Sequence, residues 1–174
     1  MPTEISGSTE VNKIQEGTVV DADINSSAAI AGSKLVMPSG SVLQVKETIL
    51  TNSTAVVISV GSGQTDALSL AITPSSSSSK ILVLVHIGYY KRGSGTASSG
   101  YTIMRDSTQI EGTDAYFHYA DSAHSNWWYS QNYHVLDSPN TTSSITYKWR
   151  FSNSGSDSIG AQAASKMTLM EIAG

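Results

Sequence analysis

From Val42 onward the chain alternates apolar and polar positions with a period of two. Leu43, Val45 and Ile49 share one parity, and Gln44, Lys46 and Thr48 the other. This is the signature of a strand with one wet face. It predicts strands over Val42–Leu50, Ala55–Val60 and Ala67–Thr73, the last with Leu68, Leu70 and Ile72 on one side. Lys80–Tyr90 holds the longest apolar run, ILVLVHIGYY, the pattern of a central strand buried on both faces. Tyr101–Arg105, Ala115–Ala120 and Tyr129–Leu136 read as further strands. Ser144–Phe151 alternates most cleanly, with Ile145, Tyr147, Trp149 and Phe151 set against Thr146, Lys148 and Arg150. Lys166–Ile172 is the last strand, with Met167 and Leu169 on one face and Met170 and Ile172 on the other. A terminal strand that is apolar on both faces points either to an interior position or to a subunit contact, and these four residues are the candidate trimer interface. Between the strands lie the punctuators Pro38-Ser39-Gly40 and Gly61-Ser62-Gly63, an exposed loop from Pro74 through Ser79, a Gly/Ser-rich stretch from Arg92 to Gly100 that reads as mobile, and Ser138–Thr142. Roughly eight to ten short strands without an amphipathic helix of normal length predict an all-β antiparallel sandwich, and a jelly roll best fits the count.

The first 37 residues do not follow this pattern. Residues 1–17 are polar and read as an extended tail. In Gly17–Lys46, GTVVDADINSSAAIAGSKLVMPSGSVLQVK, the apolar residues Val19, Val20, Ile24, Ile30 and Leu35 stand singly or in pairs among Ser, Ala, Asn and Gly. A short helix over Asn25–Ala31, with Asn25 as its N-cap, is too short to stand alone. So few large side chains do not offset the entropy of ordering the segment. The expectation is an arm, residues 1–37, whose apolar residues anchor it on a neighbouring subunit or a larger assembly, followed by a β-sandwich body over 38–174.

Composition sharpens this picture. The chain has 174 residues, and 47 of them are Ser or Thr. Charged residues make up 14%, against the roughly 25% of an average globular protein, so the surface is neutral and hydroxyl-rich. A net charge of −4 without a basic stripe argues against nucleic acid as a partner. The absence of cysteine excludes disulfides and thiolate metal sites. No apolar run reaches the length of a membrane span, so membrane insertion is not expected, and the N-terminus shows no signal-peptide pattern.

Several phrases carry a resemblance. GTVVDADINSSAAIAGSKL resembles connector segments of bacteriophage tail-fibre proteins, and GSVLQV, AITPSSSSSKILV, LDSPNTTSSITYK and TLMEIAG resemble short fibre-like structural proteins of phages, marine and cyanobacterial ones among them. The resemblance implies a virion component, made in the host cytoplasm and displayed on the particle exterior. Its head would be a homotrimeric jelly roll like those of C1q and tumour-necrosis-factor domains. It implies tail or capsid proteins as partners, and either host attachment or capsid decoration as the role.

Candidate chemistry concentrates in Tyr116–Tyr133. Seven of the thirteen aromatic residues fall there, and His118, His124 and His134 lie within or just after it. Aromatic faces stack on sugars while Tyr, Trp and His tips supply hydrogen bonds. Tyr116, His118, Asp121, His124, Asn126, Trp127 and Trp128 are therefore candidate ligand-binding residues for a host surface glycan, with Asp121–Trp128 as an exposed loop. Core and inter-subunit packing would use the same residues equally well. Trp127 and Trp128 are adjacent, so in a strand they face opposite ways. His118 and His134 are placed to pair only if their strands are neighbours. No HxH or helical i, i+4 spacing occurs, so no metal or other cofactor is expected. The sequence carries no G-x-S-x-G and no phosphate cradle, so an enzyme is not expected and no catalytic residue is named. Lys91 and Arg92 read as a solvated strand end, or as a contact for an acidic glycan.

Overall fold

The computed structural model describes residues 35–51, 56–58, 63–123 and 126–174, with only the backbone of 56–58, 92 and 114–117. The unit considered below is Met37–Gly174. Its described strands are β1 (Val42–Ile49), β2 (Val56–Ile58), β3 (Thr65–Ile72), β4 (Lys80–Arg92), β5 (Ala97–Arg105), β6 (Thr108–Ala120), β7 (Asn126–Asp137), β8 (Ile145–Phe151), β9 (Ser158–Ala161) and β10 (Lys166–Ile172).

They form two antiparallel sheets. In the first, β1 pairs with β10, β10 with the first half of β4, and β7 runs along the other side of β4 from Ile81 to Arg92. The short β9 pairs with the last four residues of β4 and carries β2 at its edge. The second sheet has the order β3-β8-β5-β6. The orders β1-β10-β4-β7 and β3-β8-β5-β6 are those of an eight-stranded jelly roll built from two Greek keys, with β2 and β9 added. The fold is therefore an all-β sandwich, as the alternation predicts.

The core lies between the sheets. From β8 come Ile145, Tyr147, Trp149 and Phe151, from β4 Ile81, Val83, Val85, Ile87 and Tyr89, and from β10 Met167 and Leu169. Each fully buried side chain of this size contributes about 1.5–3 kcal/mol by leaving water. Asp137 at the end of β7 ties the two sheets together. Arg105 Nη1 of β5 donates to both its carboxylate oxygens at 2.9 Å, and the Tyr147 hydroxyl of β8 donates to Oδ2 at 2.6 Å. The β5–β6 hairpin turns at Asp106 (φ 51°), a conformation that Asp tolerates through its short polar side chain. The Asp106 carboxylate accepts the Thr146 amide at 2.9 Å, which locks the turn to β8.

Five expectations need correction. The β4 run is not buried on both faces: its inner residues are buried, but Leu84 is exposed and Leu82 and His86 are half-buried on the outer side. The Gly/Ser-rich stretch after Arg92 is not a long loop, because Ala97–Gly100 already belong to β5. Its remaining residues are tied to the β8–β9 connection, with Gly95 N on Asp157 Oδ2 at 2.6 Å and Thr96 O accepting the amides of Ser156 and Asp157. Nor is Lys91 a solvated end: it is buried, with Nζ 3.2 Å from the carbonyls of Gly93 and Asp121 and 3.5 Å from Asp157 Oδ2. A lysine is held in a core only by such a set of acceptors.

The fourth concerns the polyserine loop, which is only partly exposed. Pro74 and Ser79 are buried, and Ser75 donates through N and Oγ to the buried Glu171 carboxylate at 2.7 and 2.6 Å. Gln44 adds a third donor at 2.6 Å. Burial alone would raise the Glu171 pKa. The hydrogen bonds from Ser75 and Gln44 outweigh it and hold the carboxyl down at about 2.

Met167 and Leu169 are fully buried in this chain's own core. As trimer-interface residues they are misplaced, because β10 turns them inward between its own two sheets. Met170 and Ile172 stand on the opposite, outer face and are half-buried.

Candidate functional site

The aromatic and histidine cluster divides by strand parity. On β7 the side chains of Trp127, Tyr129, Gln131 and Tyr133 share the inward parity, while Trp128 and His134 share the outward one. Tyr89 of β4 lies opposite Tyr129 in the register, and their rings stack with centroids 5.0 Å apart. His118 of β6 comes from the other sheet and packs on both, 4.9 Å from Tyr89 and 5.0 Å from Tyr129. Trp127 lies 4.4 Å from Tyr129, and Tyr101 lies 4.0 Å from Tyr133.

Hydrogen bonds join these rings. The Tyr133 hydroxyl donates to Gln131 Oε1 at 2.7 Å. Its proton is thereby committed, so it accepts from the Tyr89 hydroxyl at 2.9 Å and from His118 Nε2 at 3.1 Å. This assigns the Nε2–H tautomer to His118. Burial holds the imidazole well below its ordinary value, at about 4, against a small opposing effect of Gln131. Burial also pushes the phenols of Tyr89, Tyr129 and Tyr133 up, so all three stay protonated as donors. The space inside the cluster, lined by Tyr89, Lys91, His118, Trp127, Tyr129 and neighbours, is about 10 Å³. That is room for about one water and no ligand. The arrangement is a hydrogen-bonded polar network inside an aromatic core.

The predicted binding residues therefore do not form one surface. His118 and Trp127 face the interior. Asn126, Trp127 and Trp128 belong to β7, so Asp121–Trp128 is not one loop. Asp121 is exposed and closes a turn by accepting the Ala123 amide at 3.0 Å. With Tyr119, Ala120 and Trp127 it lines a shallow depression of about 130 Å³. Trp128, 54% exposed, points to the opposite side. The Tyr116 side chain and all of His124 lie outside the described residues. So do Val19, Val20, Ile24 and Ile30 of the anchoring set, while Leu35 is exposed. His118 and His134 do not meet, because β6 and β7 belong to different sheets and His134 faces outward. Among the described residues no group of three His, Cys, Asp or Glu is placed to hold a metal, and no helix is long and apolar enough to cross a membrane.

The residue-level reading missed a broader depression of about 370 Å³ on the outer face of the first sheet. It is lined by Leu84, His86, Asn132, His134, Lys166 and Thr168. Leu84 apart, these six are polar, and they come from three strands whose faces cannot be matched without the pairing register.

No protein-family model matches this sequence, and no curated protein does. Solved structures do share the fold. That of the infectious bursal disease virus VP2 subviral particle is 12% identical with a TM-score of 0.50, over 75% of this chain and 33% of that one. The Gt strain of the same virus gives 14% and 0.52 over 82% and 35%, and the Gx strain 15% and 0.51 over 84% and 38%. This chain thus spans about a third of the length of those it matches, and at such identities the likeness is one of fold.

Proposed function

We propose that this chain is a non-enzymatic phage virion surface protein. Its body forms a homotrimeric head displayed on the particle exterior, and residues 1–37 anchor it to tail or capsid proteins. The observation that carries the reading is the jelly-roll strand order of the body. The structures of infectious bursal disease virus share the fold over most of this chain. The phage-like phrases of the arm and body support the same assignment, and the filled sandwich interior supports a structural role.

As the head of a short fibre or spike, it would touch the host surface at the shallow patch of Tyr119, Asp121 and Trp127. Such a patch covers little of a sugar, so each site is weak, and three copies gain strength by avidity. The second reading is a capsid decoration trimer that stabilises the phage head. It is favoured by the inward turn of His118, Trp127 and Tyr129, which removes most of the aromatic platform from the surface.

Virions carrying Tyr119→Ala with Asp121→Ala separate the two. The host-binding reading expects normal copy number and reduced adsorption. Normal adsorption with hundreds of copies per particle would leave decoration, and absence of the protein from purified virions would refute both.

A further inference from the structure

The strands β4 and β10 are adjacent, and both are apolar on both faces. Their inner residues close the core. Their outer residues fall into rows that the pairing register fixes. Val45 of β1, Met170 of β10, Leu82 of β4 and Leu136 of β7 are successive cross-strand partners, so four apolar side chains stand in one row across four strands. Val42 and Ile172, themselves partners, flank this row on one side, and Leu84 flanks it on the other. Val45 is 55% and Leu136 54% exposed. Leu84's own row is otherwise polar, with Glu47, Thr168 and His134, and in the next row Ile49 at the β1 edge, 51% exposed, is followed by Lys166, His86 and Asn132. An apolar row of this width is an unusual thing to leave in water, and side chains scattered singly would not form it.

We propose that a second copy of this chain covers the outer face of β1, β10, β4 and β7, with the row of Val45, Met170, Leu82 and Leu136 at its centre. The inference rests on the self-association proposed above and names its surface. Three features select a copy of the chain as the occupant. The first is size. The 8, 7, 13 and 12 residues of β1, β10, β4 and β7, each rising about 3.3 Å on strands about 4.8 Å apart, give a face of about 630 Å². That is at the lower end of what one partner contributes to a standard stable interface. The second is anatomy, an apolar centre with a polar rim, and the apolar centre suits a permanent homo-oligomer more than a transient partner. The third is charge. The rim mixes Glu47 with Lys80 and Lys166, so the face does not repel its own copy as a single-signed face would. In a trimer, this face turns towards the shared axis.

The test uses the full 174-residue chain in light scattering from about 1 to 100 µM, the range in which micromolar association shows. The wild type is expected to be an oligomer. Val45→Glu and Leu136→Lys should each weaken association by about 100-fold or more and run as single chains at matched concentration. Both side chains are more than half exposed, so the variants should keep the circular dichroism and melting temperature of a folded single chain. Tyr119→Lys, exposed on the other sheet, should leave the mass of the oligomer unchanged. An oligomer of unaltered mass in both face variants would overturn this surface while leaving self-association standing. A wild type that is a single chain at every concentration would overturn self-association and this surface together.

Discussion

Trp149→Ala tests the core directly. Trp149 is fully buried at the centre of β8, with Phe151 stacked at 5.1 Å, Tyr89 edge-on at 5.7 Å and Tyr133 at 6.1 Å. Truncating an indole in such a site removes its transfer free energy and leaves a cavity that rigid aromatic neighbours cannot close, at a cost of about 3–5 kcal/mol. A domain of this size holds only about 5–15 kcal/mol in total, so the variant loses a large share of its stability. At about 2–4 °C per kcal/mol, the melting temperature should fall by about 6–20 °C. The indole N–H has no partner among the described residues. Trp149→Phe therefore forfeits no hydrogen bond and should cost less, under about 2 kcal/mol. Urea unfolding followed by far-UV circular dichroism avoids relying on tryptophan emission, and the midpoint should shift at constant slope. A loss below about 1 kcal/mol for the alanine variant would refute the placement of this row in the core.

Two further outcomes follow from the polar groups inside the sandwich. Because the folded His118 pKa lies near 4, below the ordinary 6.5, the unfolded chain binds the proton more readily between these values; stability should fall as pH drops from about 6.5 to about 4, and urea midpoints of a His118→Gln variant should lack that component. Asp137→Ala strands the Arg105 guanidinium and the buried Tyr147 hydroxyl together and should cost about 2–4 kcal/mol in the same unfolding measurement, whereas a loss under about 0.5 kcal/mol would mean that the inter-sheet clasp is not formed.

Strand identity is a local property, and the sequence carried it. Alternation over Ser144–Phe151 is enough to place Tyr147, Trp149 and Phe151 inside, because a period of two leaves only the choice of face, and the large apolar set takes the buried one. The all-β class followed in the same way. What alternation does not contain is which strands are neighbours. Only the tertiary structure put β10 beside β4 and so turned Met167 and Leu169 inward while lining up Met170 and Ile172 with Val45, Val42 and Leu82. Only the packing of two sheets turned the aromatic cluster from a sugar platform into a hydrogen-bonded core, because His118 and Tyr133 sit on the consecutive strands β6 and β7, which alternation alone does not assign to opposite sheets. The same holds for Lys91, which the sequence marks as a charge at a strand end. Its burial depends on carbonyls and a carboxylate that three separate connections deliver. Composition and period determine what each segment wants to bury. The long-range pairing that satisfies every strand at once decides where each side chain is buried and which apolar row is left facing out.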